Sequence, residues 1–392
     1  MLCVALFEAA YAANTVAPLL VFYSVDLHLS VTMLTWFFTA YALGLMAAFV
    51  FVGSLSDRFG RKAVVMPSAA TLIAATVALL AAAAWGAPLL LAGRFLQGCA
   101  SGAVYAVGTV WLRELAGSRH AARAAMRATA SMAFGFGVGP LISGMLVQWL
   151  PEPKILPILI ALVATASALV IVLRLPETMT RRRLGHIRFG LPRGTAKGFA
   201  VYLAPCALVV YTFAMLAMIA FPVQLDHAGF KQVYFIQGVS LLIVLGMATA
   251  ATSWARRLGA GTAGWLAAVC GAAGCALGYL AVQPHGWPWI LPASVMIGIG
   301  SGLSITAGVI ASDLLAPAES RGQLLSMFYI VAYIGYSSPT VLSLAFGRHT
   351  LEHGNTILAL GATALVLATI LAASGHLVSH RRAQQPSRSW RT

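Results

Sequence analysis

Charged residues are scarce in this sequence. Only 9% of its 392 residues are charged, and Asp and Glu together number ten. Soluble globular domains carry about 25% charged residues, so the composition excludes an ordinary water-soluble domain. The five cysteines are odd in number and show no Cys-x-x-Cys spacing, which argues against both a disulfide framework and a zinc site.

Motifs for nucleotides and metals are also missing. No Gly-x-x-x-x-Gly-Lys-Ser/Thr run occurs, so ATP is not expected as the direct energy source. His349, Glu352 and His353 share one short loop without a fourth ligand, and we expect no metal there. The sequence therefore predicts that the protein has no cofactor and is not an enzyme.

Long apolar stretches fill the chain instead. Apolar residues make up 60% of the sequence and recur in stretches of about 20 residues, the length that crosses a bilayer. The stretches lack the alternation of a membrane barrel, so the sequence predicts an all-α integral membrane protein with twelve transmembrane helices. The predicted helices cover residues 1–24, 33–55, 62–84, 88–112, 123–150, 155–175, 198–223, 231–255, 259–282, 288–312, 322–347 and 354–378.

The net charge of +15 follows membrane topology. With the N-terminus in the cytoplasm, 21 of the 25 Lys and Arg residues fall on the cytoplasmic side and three on the opposite side. Arg94 alone lies within a span. This distribution obeys the positive-inside rule, so we expect both termini in the cytoplasm of a cell membrane and no nucleic-acid partner.

An Arg-rich segment divides the predicted helices into two sets of six. We expect bundles at residues 1–175 and 198–378, a linker at 176–197 and a basic tail at 379–392, with a site between the bundles at mid-membrane. An offset of 199 residues aligns four pairs of identical or similar residues: Arg58 with Arg257, Gly60 with Gly259, Glu114 with Asp313 and Pro140 with Pro339.

The loop after the second helix reads Gly-Ser-Leu-Ser-Asp-Arg-Phe-Gly-Arg-Lys at residues 53–62. This run resembles the signature loop of the major facilitator superfamily, a family of secondary transporters. The resemblance implies a cytoplasmic gate formed by Gly53, Asp57, Arg58, Gly60 and Arg61. We expect Gly53 to permit close helix approach and the arginines to donate forked hydrogen bonds.

Two further motifs are similar to those of the twelve-helix drug and proton antiporters in that family. Residues 94–98 read Arg-Phe-Leu-Gln-Gly, and residues 135–144 read Gly-Phe-Gly-Val-Gly-Pro-Leu-Ile-Ser-Gly. The second run departs from the family pattern because Ser143 stands where a glycine is usual. The expected helix-packing residues are Gln97, Gly98, Gly135, Gly139, Pro140 and Gly144.

Glu8 and Arg94 are the two charges placed deep in the predicted spans. A buried arginine needs a partner, so we expect the pair to bind and release a proton near physiological pH. Two alternatives stay open: Arg94 bonds only helix carbonyls, or Glu8 faces the inner membrane interface. The candidate pocket residues, chosen for aromatic faces or polar tips within spans, are Tyr11, Asn14, Tyr105, Phe134, Tyr211, Tyr329 and Tyr333.

These features favour an exporter of small, partly hydrophobic molecules in exchange for protons, working by alternating access as a monomer in the lipid bilayer. One alternative is a proton symporter that imports an organic acid or a sugar. The second is a membrane receptor or assembly subunit that keeps this fold and moves nothing.

Overall fold

The computed structural model describes residues 1–26, 29–179, 190–317, 320–341 and 354–378. All regular secondary structure in these ranges is helical, as the sequence predicts. The loop with His349, Glu352 and His353, where we expect no metal, lies outside the described residues. The basic tail at 379–392 also lies outside them.

The first six helices follow one another with short connections. The first six are α1 Leu2–Asp26, α2 Val31–Phe59, α3 Arg61–Trp85, α4 Ala87–Ala116, α5 Ala121–Trp149 and α6 Leu156–Arg174. The seventh, α7, runs over Ala196–Asp226 and includes π-helical turns at Phe199–Leu203 and Leu216–Ala220. The last four are α8 Val233–Ala281, α9 Ile290–Leu315, α10 Arg321–Tyr336 and α11 Gly354–Ser374.

Ten helices of the described ranges are long and apolar enough to cross a membrane. The 49 residues of α8 are about twice the length needed for one crossing, and the chain turns inside it at Gly259. The 16-residue α10 corresponds to the predicted helix 322–347, most of whose remainder lies outside the described residues. Counting α8 as two crossings and adding α10 to the ten long helices gives twelve, so the twelve-helix prediction is confirmed.

Two glycines mark equivalent turns in the chain. Gly60 joins α2 to α3 with φ 106° and ψ 163°, and Gly259 divides α8 with φ 78° and ψ 164°. Positive φ favours glycine because it has no Cβ atom. The 199-residue repeat therefore has a structural counterpart at this pair. The exact division into two bundles stays a prediction, because residues 180–189 of the proposed linker are outside the description.

Helices before residue 175 pack mainly on one another: α1 lies along α4, α5 and α6, and α4 also contacts α2 and α3. In the second half, α8 lies against α9 and α11, and α7 against α9 and α10. Contacts between the halves come mainly from α5 with α8 and from α2 with α10. We call the end with residues 57–62, 113–120 and 175–179 the linker side, and the opposite end the far side.

Candidate functional site

A network of ion pairs on the linker side is centred on Arg61. Its Nε and Nη2 atoms donate to Glu114 Oε1 at 3.1 and 2.8 Å. Its Nη1 atom donates to Asp57 Oδ1 and Ser56 Oγ, both at 2.6 Å. The Arg61 side chain is 8% exposed, whereas that of Asp57 is 62% exposed. The forked guanidinium thus ties α3 to the ends of α2 and α4.

Glu177, just after α6, caps the start of α3. Its carboxylate accepts hydrogen bonds from the main-chain nitrogens of Arg61 at 3.0 Å and Lys62 at 2.9 Å. Gly60 has no side chain that could satisfy these first donors of the helix. Partial burial, the largest effect, raises the pKa of Glu177, but four main-chain N–H donors outweigh it and lower the pKa overall.

The segment after α6 is also bound to α4 by hydrogen bonds. Thr178 Oγ1 donates to Glu114 Oε2 at 2.6 Å, and Trp111 Nε1 donates to the Pro176 carbonyl at 3.1 Å. Glu114 and Glu177 were not predicted from the sequence as members of this network. A signal was available: both are acidic residues that lie close in sequence to basic residues on the linker side. The basic residues alone would set the orientation of the protein in the membrane, so these carboxylates need another explanation.

Two predicted gate residues stand apart from the network. The Arg58 guanidinium lies 5.0 Å from the centroid of the Phe59 ring, and no ion pair of the described residues includes it. At Gly53 an added Cβ atom would meet nothing within 4 Å. The expectation that Gly53 permits close helix approach is therefore wrong for this conformation, because no neighbour comes near that face of α2.

Arg94 is buried in the membrane-spanning part of α4, at 1% exposure. Its Nε atom donates to the Phe37 carbonyl at 3.3 Å, and Nη1 donates to the Ala13 carbonyl at 3.1 Å and to Gln97 Oε1 at 2.5 Å. The guanidinium also lies 4.4 Å from the centroid of the Tyr41 ring. Carbonyls and an aromatic face thus offset the cost of burying this charge.

Donors along α4 meet carbonyls along α1 in antiparallel order. Besides Arg94, Gln97 Nε2 donates to the Ala12 carbonyl and the Tyr105 hydroxyl donates to the Ala9 carbonyl, both at 3.1 Å. These bonds connect residues 94–105 of α4 with residues 9–13 of α1. The polar residues of α4 therefore fix its register against α1.

Glu8 does not pair with Arg94, so that expectation is wrong for this conformation. The half-buried Glu8 carboxyl accepts a hydrogen bond from Ser167 Oγ on α6. Its second oxygen has no partner among the described residues. The reason is the face of α1 on which Glu8 lies: Ala9, Ala12 and Ala13 meet α4, whereas Glu8 meets α6. Depth in the membrane was predictable, but this face was not.

The predicted packing glycines lie at close helix contacts. A Cβ atom at Gly98 would press on the Tyr41 carbonyl of α2, and one at Gly135 would press on the Phe7 carbonyl of α1. Gly139 likewise faces the Tyr11 carbonyl, and an added Cβ there would come within 2.6 Å of it. The glycines of the motif at residues 135–144, which we call the helix-five motif, thus allow α5 to pack closely against α1.

Five tyrosines from both halves form an aromatic layer in the middle of the helices: Tyr41, Tyr105, Tyr211, Tyr333 and Tyr336. The Tyr211 and Tyr333 rings stack with centroids 5.0 Å apart, and Tyr336 lies 5.8 Å from Tyr211. Tyr211 and Tyr333 are half-buried, and the other three are less than 9% exposed.

The aromatic layer joins the halves through α2. The Tyr333 ring lies 5.9 Å from that of Phe49, and the Tyr336 ring lies 6.4 Å from that of Phe38. Tyr41 carries the Arg94 guanidinium on its face. The layer therefore places one cation among aromatic rings at the interface of the two halves.

The structure brings some of the predicted pocket residues together and separates others. Tyr105, Tyr211 and Tyr333 belong to the aromatic layer, and Tyr329 packs on Phe328 with ring centroids 5.6 Å apart. Asn14 Nδ2 donates to the Phe136 carbonyl at 3.3 Å, and the Phe136 ring lies 5.3 Å from that of Tyr105.

Tyr11 and Phe134 do not join this group. Tyr11 packs with Ala12 and Ala161 against α6, and Phe134 is 62% exposed beside Phe7. Their assignment to a common pocket with the other aromatic residues is wrong. Both were chosen by residue type and span, which does not report the helix face. Tyr41 and Tyr336 were missed for the same reason.

A seam between α5 and α8 closes the far side. Gly144 lies against the Tyr234 carbonyl, and Gly238 lies against the Pro140 carbonyl, where a Cβ atom would come within 2.6 Å. Gln148 Nε2 donates to the Lys231 carbonyl at 2.7 Å. The last part of the helix-five motif, including Pro140 and Gly144, thus serves contact between the halves.

Two more polar contacts complete this far-side closure. Gln237, 1% exposed, donates to the Met218 carbonyl at 2.7 Å and to the Ala17 carbonyl at 3.5 Å. The hydroxyls of Thr39 and Thr340 lie 2.7 Å apart. Together with the seam, they hold α1, α2 and α5 against the second half.

Comparison with known proteins places this geometry in context. The family model described as Major Facilitator Superfamily matches residues 2–340. The multidrug resistance protein MdtL of Escherichia coli O139:H28 is 41% identical over 98 residues, which is 25% of this chain and 25% of that protein. The match thus spans about a quarter of that relative.

Solved structures share the fold at low sequence identity. The crystal structure of a peptide transporter POT in complex with sulfate has a TM-score of 0.79 at 15% identity and covers 97% of this chain and 94% of that one. That of a D-xylose-proton symporter has a TM-score of 0.70 at 14% identity, covering 94% and 95%. These likenesses concern the fold alone.

Proposed function

Because the chain belongs to the major facilitator superfamily, we propose that it is a secondary active transporter that exports small, partly hydrophobic molecules in exchange for protons. It works by alternating access, as a monomer in the cell membrane, with the linker side and both termini in the cytoplasm. The placement of basic residues on the linker side supports this orientation.

One observation carries the proposal: among the described residues, the hydrogen bonds between the halves lie on the far side. In the described ranges, the hydrogen bonds between their helices involve Thr39, Gln148 and Gln237, all in the far-side half of the molecule. No such bond joins the helices of the two halves on the linker side within those ranges. A protein closed at one end and unjoined at the other represents one of the two states that alternating access requires.

The substrate site of this transporter is the aromatic layer. Its rings come from α2 and α4 of one half and from α7 and α10 of the other, so rocking of the halves alters it directly. Tyr211 and Tyr333 are half-buried and keep part of their faces open. Aromatic surfaces with hydroxyl tips suit molecules that are partly apolar.

Glu8 is the proton carrier in this account. Intramembrane ionisable residues commonly mark proton relays, and Glu8 has one hydroxyl partner and one unpaired oxygen. Its hydrogen-bond partner Ser167 lies on α6. Protonation of Glu8 therefore changes contacts within the first half and not contacts at the aromatic layer. Coupling then runs through the packing of α1 on α4, α5 and α6.

The direction of transport rests on two further observations. The partial match to a multidrug resistance protein and the glycine-rich helix-five seam both favour export. Import with protons is the second candidate, because the fold is also similar to that of a D-xylose-proton symporter. A non-transporting receptor is disfavoured by the intact Arg61 network, which such a protein would not need.

Counterflow in proteoliposomes separates these candidates. Purified protein is reconstituted, a pH gradient of either sign is imposed, and a panel of drugs, organic acids and sugars is followed. An exporter accumulates apolar compounds when the gradient drives protons in the opposite direction, and an importer accumulates a compound in the direction of the protons. Protein-free liposomes are the control. If no compound moves faster into the proteoliposomes than into these controls under either gradient, the proposal that the protein is a transporter is wrong.

A further inference from the structure

The charge of the aromatic layer points to the class of substrate. Among the described residues, Arg94 is the charged side chain that contacts the layer, with its guanidinium over Tyr41. Its hydrogen-bond partners are the Ala13 and Phe37 carbonyls and the Gln97 amide, all of them neutral. The cation therefore has no carboxylate partner within the described residues.

No carboxylate of the described ranges balances this charge from nearby. Glu8 faces α6 and bonds Ser167 there. The remaining acidic residues of those ranges lie at helix ends or in connecting segments. The layer thus carries an uncompensated positive charge in a medium of low dielectric constant, where a charge acts much more strongly than in water.

Unused donors lie beside this charge. The bonds of Arg94 engage Nε and Nη1, so Nη2 makes no hydrogen bond within the part of the chain that is described. The hydroxyls of Tyr41, 3% exposed, and Ser101, 0% exposed, are near one another but make no hydrogen bond of good geometry there. Buried donors without acceptors are costly, and an electron-rich ligand group would satisfy them.

We propose that the aromatic layer binds aromatic molecules that are neutral or negatively charged and excludes organic cations. The aromatic ring of the ligand lies among Tyr211, Tyr333 and Tyr336, and its oxygen acceptors face Arg94 and Tyr41. A cation would be repelled by the positively charged guanidinium. No carboxylate of the described residues would compensate for the loss of its hydration shell. This inference rests on the proposed function, because it takes the layer as the substrate site.

Three probes of similar size test the inference on purified full-length protein. They are para-tert-butylbenzoate, para-tert-butylbenzyl alcohol and para-tert-butylbenzylammonium, and their binding is measured by equilibrium dialysis at low salt and neutral pH. The benzoate and the alcohol should bind at least about tenfold more tightly than the ammonium compound, as a charge difference in a low-dielectric site requires. Binding of the ammonium probe as tight as that of the benzoate, or binding of none of the three, would overturn the inference.

A designed reversal sharpens the test. Ser101→Asp places a carboxylate next to Tyr41, on α4 about two helical turns from Arg94, and should remove the preference for the benzoate over the ammonium probe. The matched control Ser101→Asn has nearly the same shape without the charge and should keep the wild-type order. If both variants keep that order, the charge at this position does not select substrates and the inference is wrong.

Transport of the same probes separates this inference from the proposed function. If the benzoate and the alcohol bind selectively but no probe moves in proteoliposomes under either pH gradient, the proposed function fails while the binding preference stands. If the ammonium probe is moved best, transport stands and the inference fails.

Discussion

Arg61 and Glu114 lie 53 positions apart in the chain, and their side chains meet at 2.8 Å between Nη2 and Oε1. This ion pair ties the start of α3 to the end of α4. Asp57 adds a second carboxylate from α2, and Glu177 binds the main chain at the same helix start. The linker-side end of three helices thus depends on one arginine.

Arg61→Ala should abolish most transport and leave folded protein in the membrane. A hydrogen bond to a charged group contributes roughly 1.5–3 kcal/mol, so loss of the fork should lower transport about tenfold or more by shifting the conformational equilibrium. Arg61→Lys keeps the charge but cannot span both carboxylates, and its transport should lie between that of wild type and Arg61→Ala. Asp57→Asn should also reduce transport. Wild-type transport rates in Arg61→Ala would reject a gate built on this residue.

The cap formed by Glu177 predicts a specific pH dependence of stability. The pKa of Glu177 is lowered in the folded protein, so its stabilising contribution is present above the ordinary value of 4.5 and is lost as the pH falls through the folded value. The melting temperature of wild type should therefore exceed that of Glu177→Gln near neutral pH, and the difference should shrink below the ordinary value. A difference that stays constant across this range would show that the carboxylate charge is not responsible.

The far-side contact between Thr39 and Thr340 predicts a reversible block. With both residues replaced by cysteine, oxidation should form a disulfide, because the two hydroxyls lie 2.7 Å apart. The crosslink holds the far side closed and should stop transport until a reductant is added. Thr39→Cys alone is the control and should keep its activity under oxidation. Full transport by the crosslinked protein would mean that the far side need not open.

The glycine seam predicts that Gly144→Ala weakens far-side closure. Its Cβ atom would press on the Tyr234 carbonyl, so the yield of the Thr39 and Thr340 cysteine crosslink should fall in this background. Gly246→Ala on the facing helix α8 is the matched control, since an added Cβ atom there meets nothing within 4 Å. That control should give the wild-type crosslink yield. Equal yields in the two variants would show that the seam does not depend on Gly144.

Helix position along the chain could be predicted well, and helix faces could not. Apolar length and glycine turns indicate the crossings within the described residues, including the turn at Gly259 that repeats the one at Gly60. The same signals report depth in the membrane, and Arg94 is indeed buried. They do not report rotation about a helix axis, because a largely apolar helix in a membrane lacks a clear polar face.

That missing information accounts for the errors at the candidate site. Glu8 and Tyr11 are at a suitable depth but turn towards α6, away from Arg94 and the aromatic layer. Contacts between distant segments were equally hidden. Glu177 caps a helix that begins more than a hundred residues earlier, and no local pattern indicates such a partner.

Proton coupling through Glu8 is the central claim, and Glu8→Gln tests it most directly. Wild-type protein and Glu8→Gln protein are reconstituted in proteoliposomes, and uptake of one identified substrate is followed with and without an imposed pH gradient. Because Glu8 does not contact Arg94, the conservative variant Arg94→Lys should keep the wild-type pH dependence even if its rate is lower. Glu8→Gln should still exchange substrate at equilibrium but lose all accumulation driven by the gradient. If Glu8→Gln protein concentrates substrate against its gradient at the wild-type rate, Glu8 is not the coupling site and the account is wrong.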